Sequence, residues 1–242
     1  MIRKLTMSFD NGPDPECTPI VLDVLAERNI KATFFVCGVG NVRHPAMEAG
    51  SVEGLKLLER IKSEGHWIGN HSLTHAIELG TTRDPKMVER EIERNEDIIG
   101  RFNEHRLFRP YMGGGILDKK VFNPEAIQYL CDQKYTSVLF NCVPRDWEIP
   151  ETWPAEAFCQ MAKLDWTLLI VHDVSRFGGM LKLAEFLDEA IEKGYEILQE
   201  HPPECTPIIR GEIVGSIEGL VCGDQPEIPS KSAAAAAATL QL

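Results

Sequence analysis

Short apolar runs that end abruptly in polar residues alternate with helix-patterned segments along most of this chain, and that alternation restricts the fold more than any other feature. Leu5 to Phe9 reads as a first strand. Thr18 and Pro19 then supply an N-cap and a first-turn proline, with Ile20, Val21, Val24 and Leu25 at helical spacing. Ala32 to Val36 is a nearly continuous apolar run stopped by Gly38, the pattern of a strand buried on both faces. Gly54 to Lys62 reads as a helix with Leu55, Leu58 and Ile61 on one face, and Trp67 to Gly69 as a short strand. Asp84-Pro85 caps a long helix carrying Val88, Ile92 and Ile99, with acids and bases on the opposite face. Leu107-Phe108, Ser137 to Phe140 and Thr167 to Val171 are further strands. Helices are predicted near Pro124 to Gln133, Pro154 to Lys163 and Leu181 to Lys193. The order predicts an α/β fold with a parallel, distorted (β/α) barrel.

Length agrees with that reading. The 242 residues suit one α/β barrel better than two small domains. The expectation is a single catalytic domain over residues 1–222, followed by a low-complexity tail over 223–242 that contains Ala233 to Ala238. A formal charge of -12 argues against nucleic acid and anionic membrane as partners, since both require basic patches. The seven cysteines, at 17, 37, 131, 142, 159, 205 and 222, are odd in number and lack CxxC spacing, which suits reduced thiols. Met1 to Thr6 runs straight into the first strand without the apolar core of a signal peptide. No segment has the apolar length needed to span a bilayer. A cytoplasmic location is the resulting expectation.

Chemistry-bearing residues gather at the ends of the predicted strands. Asp10 and Asn11 end the first, His71 and His75 follow the third, and Arg109 follows Leu107-Phe108. Asp146-Trp147 follows the fifth, and His172 ends the apolar run Leu168 to Val171. Barrels of this class carry their sites on the loops after their strands. Each element has an ordinary reading when taken alone. Asn11-Gly12 is a turn dipeptide, an H-x-x-x-H pair is often incidental, and Arg109 and Asp146 would pass as surface charges. Together they offer what metal-assisted hydrolysis requires: metal ligands, a base to activate water and an acid to protonate the leaving group.

In order, these residues resemble the motifs of the NodB-homology polysaccharide deacetylases, carbohydrate esterase family 4. Ser8-Phe9-Asp10-Asn11-Gly12-Pro13 is similar to the first motif, and His71 to His75 matches the second. Phe108-Arg109-Pro110-Tyr111 resembles the third, Arg145-Asp146-Trp147 the fourth and Leu168 to His172 the fifth. The resemblance implies a NodB-like distorted barrel. It implies a hydrolase that removes an acetyl or other acyl group from an amino sugar or polysaccharide, using a divalent metal, zinc foremost with cobalt as an alternative. It makes Asp10 the general base, paired with Arg109, and His172 the general acid, tuned by Asp146. Asn11, His71 and His75 fall at the metal-ligand positions. Tyr111, Met112, Trp147 and Ile170 fall at the substrate pocket, and a backbone N–H after Arg109 at the oxyanion.

Three departures qualify the transfer. Asn11 stands where the family has an aspartate, so the ligand set loses a charge. Tyr111 takes a proline position and Met112 an aromatic one. Cys142-Val143-Pro144 precedes Asp146 where another acid is common. The expected partner is an N-acylated carbohydrate or related amide, with neither nucleic acid nor membrane insertion. The alternatives are hydrolysis of a small non-sugar amide or ureide on the same fold, and a non-catalytic carbohydrate-binding homologue.

Overall fold

A computed structural model of the chain describes residues 2–39 and 49–223; the predicted tail beyond 223 lies outside the described residues. The strands are β1 (Lys4–Asp10), β2 (Thr33–Val36), β3 (Trp67–Asn70), β4 (Leu107–Phe108), β5 (Thr136–Ser137), β6 (Trp166–His172), β7 (Glu196–Leu198), β8 (Ile208–Ile209) and β9 (Glu212–Ile213). Around them lie α1 (Thr18–Glu27), α2 (Val52–Ser63), α3 (Pro85–Val88), α4 (Arg94–Ile99), α5 (Pro124–Asp132), α6 (Trp153–Met161) and α7 (Leu183–Glu192). Strands β6-β1-β2-β3-β4-β5 run parallel in that spatial order. The β8–β9 hairpin continues the sheet antiparallel from β5, and β7 lies along the first half of β1. Among the described residues no helix is long and apolar enough to cross a membrane.

The sheet curls until its ends nearly meet. Beyond β5 the chain reaches β6 through a single parallel bridge between Cys142 and Leu169, where Ile170 N donates to Cys142 O at 3.0 Å. The predicted strand over Ser137 to Phe140 therefore stops at Ser137. Its backbone is satisfied by other partners, as buried backbone must be. The carbonyls of Val138 and Leu139 accept from the Arg109 guanidinium at 3.1 and 3.0 Å. The barrel is distorted at the place where a buried arginine side chain replaces the ladder.

Strand β1 shows how sequence sets the two faces. Alternate side chains point to opposite faces of a strand. Leu5, Met7 and Phe9 pack outward in the main apolar core with Val21, Leu22 and Leu25 of α1 and Leu183, Phe186 and Leu187 of α7. Thr6, Ser8 and Asp10 take the opposite face, and all three are buried. An inward face that is polar and dry is a poor choice for stability alone, because buried polar groups need partners.

One helix start and the course of one helix differ from expectation. The N-cap of α1 is Cys17, not Thr18. The Thr18 hydroxyl instead donates to Asp173 and accepts the Asp14 N–H, so a tertiary contact has taken the side chain that the local pattern assigns to a cap. Asp84 does cap α3, accepting from Lys86 N at 3.0 Å. The long helix predicted after it is broken by a π turn over Glu89–Glu93 before α4 begins.

Candidate active site

All the strand-end residues singled out in the sequence converge on one end of the barrel, around a pocket of about 190 Å³. Asp10, Asn11, His71, His75, Tyr111, Met112, Trp147, Ile170 and His172 line it. Arg109 and Asp146 sit behind that lining, each against a residue that faces the pocket. Phe140, Val143 and Phe177 also line it and were not anticipated. Their one sequence signal is an apolar residue on a loop after a strand.

Parallel register sets the central geometry. Asp10 and His172 are direct partners across β1 and β6, so their backbones lie one strand spacing apart, roughly 4.8 Å. Arg109 Nη1 donates to Asp10 Oδ1 at 2.6 Å and to Ser8 Oγ at 2.8 Å. Its remaining donors reach the Val138 and Leu139 carbonyls, and its guanidinium lies over the Phe35 ring at 3.9 Å. The arginine is fully buried and held on every side, so it fixes the carboxylate in place.

His172 is organised by the other acid. Its Nδ1 donates to Asp146 Oδ1 at 2.8 Å, and its backbone N–H donates to Asp146 Oδ2 at 2.9 Å. Both carboxylate oxygens thus serve one residue. Burial lowers the imidazole pKa, but the charge and hydrogen bond of Asp146, with Asp10 adding to them, outweigh it and raise the value above the ordinary one. Trp147 and Phe177 meet the ring edge-on, with centroids 5.0 and 5.7 Å away, and restrict its rotation.

The metal-ligand candidates form a third group. His71 Nδ1 donates to the Arg109 carbonyl at 2.8 Å, which leaves Nε2 as the lone-pair nitrogen of the neutral ring. Burial pushes the His71 pKa down and favours that neutral form, with Asp10 opposing. Nε2 lies 3.4 Å from Asp10 Oδ2, so two electron-rich atoms face one another. The His75 ring is 4.8 Å from that of His71 and 4.3 Å from that of Tyr111. Asn11 sits at φ 75°, a left-handed conformation that asparagine tolerates. Its Oδ1 is buried and meets no donor among the described residues. Among the described residues no cluster of three or more His, Cys, Asp or Glu side chains is set to hold a metal; the third member here is an amide. An orphaned amide oxygen beside two imidazoles, one with its far nitrogen anchored on a carbonyl, is nevertheless a donor set that suits a divalent cation.

Comparison with known proteins gives the family and the fold. The sequence profile of the polysaccharide deacetylase family matches residues 2–136, more than half of the chain. The chain belongs to the polysaccharide deacetylase family. That match covers Asp10, Asn11, His71, His75 and Arg109, and ends before Asp146 and His172. A chitooligosaccharide deacetylase of Rhizobium leguminosarum bv. trifolii is 35% identical over 150 residues, which is 61% of this chain and 61% of that protein. A peptidoglycan-N-acetylglucosamine deacetylase of Bacillus cereus is 28% identical over 198 residues, covering 80% of this chain and 84% of that one. The solved peptidoglycan deacetylase PdaC from Bacillus subtilis superposes with a TM-score of 0.64 at 26% identity, over 82% of this chain and 88% of PdaC. The NodB-like distorted barrel is therefore the fold of this family member.

Proposed function

We propose that this polysaccharide deacetylase family member is a divalent-metal-dependent hydrolase that removes acetyl groups from N-acetylated amino sugars of the chitooligosaccharide or peptidoglycan kind. One observation carries the reading: two separately organised pairs, Asp10 with Arg109 and His172 with Asp146, stand on adjacent strands at one pocket. A pure sugar binder has no use for a base and an acid held one strand apart. Asn11, His71 and His75 would hold the metal, with zinc as the first expectation and cobalt as an alternative. When bound, such an ion polarises the amide carbonyl and makes water easier to deprotonate.

The chain's own groups account for the rest. Arg109 holds the Asp10 carboxylate in place, so that it can accept a proton from the attacking water. The anion that forms on the carbonyl oxygen needs a fixed donor, and the Tyr111 N–H makes no hydrogen bond among the described residues and lies at the pocket. His172, protonated with the help of Asp146, delivers its proton to the departing nitrogen. Trp147, Phe177 and Ile170 give the sugar and the acetyl methyl an apolar wall.

Acetate release from N-acetylglucosamine oligomers, with and without added zinc, tests this reading. Expected is metal-stimulated release that Asp10→Asn and His172→Ala each lower by at least about 100-fold. Release of ammonia from ureides or small amides, with none of acetate from the oligomers, would overturn the sugar assignment. Binding of the oligomers without hydrolysis of any substrate would overturn the enzyme.

A further inference from the structure

The loop that carries His71 and His75 is tied at its middle to one buried carboxylate on the π turn. Glu91 is fully buried, an expensive place for a charge unless its oxygens are used. They are. Oε2 accepts the backbone N–H of Thr74 at 3.0 Å and the Thr74 hydroxyl at 2.8 Å, while Oε1 accepts from Arg90 Nε at 3.1 Å. The Glu91 carbonyl accepts Leu73 N at 2.7 Å. Residues 73 and 74, midway between the two histidines, are therefore both bonded to Glu91, one through its backbone and the other through its side chain.

The π turn makes this possible. Its wider hydrogen-bond spacing disrupts the ordinary helical ladder, and here the carbonyls of Glu91 and Ile92 take donors from outside it: Leu73 N for one, Asn70 Nδ2 at 2.9 Å for the other. Asn95, one helical turn on, adds its side-chain amide to the Ser72 carbonyl at 2.9 Å. The loop needs such restraint. Ser72 and His75 both hold left-handed backbone, at φ 69° and 50°, and such residues persist only where their surroundings over-determine them.

We propose that Glu91 is a positioning residue for the His71/His75 pair: through Thr74 it locks the loop in the strained form that sets the two imidazoles for a metal ion. This rests on the proposed metal site. It predicts that weakening the Glu91–Thr74 contact lowers metal affinity in protein that remains folded.

The experiment is zinc affinity by competition with a chromophoric chelator, with the visible absorption of cobalt-substituted protein and thermal unfolding measured in parallel. Glu91→Ala is expected to bind zinc about 10–100-fold more weakly, the usual effect of losing a group that orients a ligand. Thr74→Val, which removes only the hydroxyl, is expected to bind several-fold more weakly. Glu91→Gln keeps an acceptor oxygen and is expected to restore most of the affinity. The cobalt spectrum should change in Glu91→Ala and return in Glu91→Gln. If Glu91→Ala fails to fold, Thr74→Val and Glu91→Gln carry the same comparison. Variants that melt earlier but hold zinc as tightly as the parent would overturn the positioning role alone. A parent chain that takes up no zinc would overturn the metal site itself, and this role with it.

Discussion

Replacing Asp173 with asparagine tests the physical account of the barrel end through a single charge. Asp173 follows His172 at the end of β6 and is fully buried. The Thr18 hydroxyl donates to its Oδ2, while Oδ1 is buried with no donor among the described residues. Gly12 packs so closely that a Cβ there would fall 2.3 Å from Oδ2. The neighbouring Asp14, by contrast, accepts four hydrogen bonds at 2.9–3.0 Å, from Glu16 N, Cys17 N, and Ser175 N and Oγ. Burial above all pushes the Asp173 carboxyl up from 3.8 to about 8, with the charge of Asp14 adding to it and the Thr18 hydroxyl opposing. Asp173 is thus a neutral acid in the folded chain at neutral pH.

The sign of the pH dependence follows from proton counting. The unfolded chain releases this proton above 3.8, the folded chain only above about 8. Between those values the folded state holds one proton more, so stability falls as pH rises. The fall is about 1.4 kcal/mol per pH unit, or about 3 kcal/mol from pH 5 to pH 7, a large share of the roughly 5–15 kcal/mol that holds a domain together. Asparagine keeps the shape and an acceptor for Thr18 but cannot ionise. Urea unfolding of parent and Asp173→Asn, with chelator present, should show the parent losing that amount relative to the variant over this interval. Above about pH 8 the difference should be level. A stability difference that does not change with pH would refute the reasoning, because it would mean that Asp173 is already ionised in the folded chain.

Three further outcomes can be checked. Asn11→Asp restores a negative charge to the ligand set and should tighten zinc binding about tenfold or more, since a charge in a poorly solvated site interacts strongly; equal affinity in a competition titration would remove Asn11 from the ligands. Asp146→Asn deletes the charge that holds the His172 pKa up, so burial should win and NMR titration should place that imidazole below its ordinary value, with deacetylation reduced by about 100-fold or more. Arg109→Met leaves Asp10 buried without its cation and two carbonyls without donors, and should lower stability in urea by about 3–5 kcal/mol, part of which Asp10→Asn in the same chain should return.

Legibility in the sequence followed how locally each feature is determined. Asp10, His71, Arg109 and His172 were readable because each ends or follows an apolar run, and in a parallel α/β fold that position is itself the site. The strand over Ser137 to Phe140 was misread because its apolar pattern is real, yet its carbonyls answer to a guanidinium nearly thirty residues away in sequence. Thr18 beside Pro19 has the right chemistry for a cap, and only the approach of Asp173 from 155 residues away diverts it. Glu91 was invisible for a related reason. In the run Arg90-Glu91-Ile92-Glu93-Arg94 it is one of several charges on what looks like the solvent face of a helix, and nothing local announces the π turn that turns it inward. The short strands β7, β8 and β9 lacked the length for a periodic signal.

The site is thus built on two kinds of support, and they should fail differently. The proposed base and acid stand on the β1–β6 ladder, seven residues in continuous register from Lys4–Trp166 to Asp10–His172. Their spacing cannot change without unzipping the longest strand pair among the described residues. The histidine pair stands on a loop whose shape depends on Glu91, Asn95 and two left-handed residues. Local opening draws on the least protected segments first, and a loop with strained backbone opens more readily than a buried parallel ladder. Mild destabilisation by heat or urea should therefore release bound metal before the pairing of Asp10 and His172 is lost. Zinc release coincident with loss of β-sheet circular dichroism, and not ahead of it, would show that loop and ladder unfold as one unit.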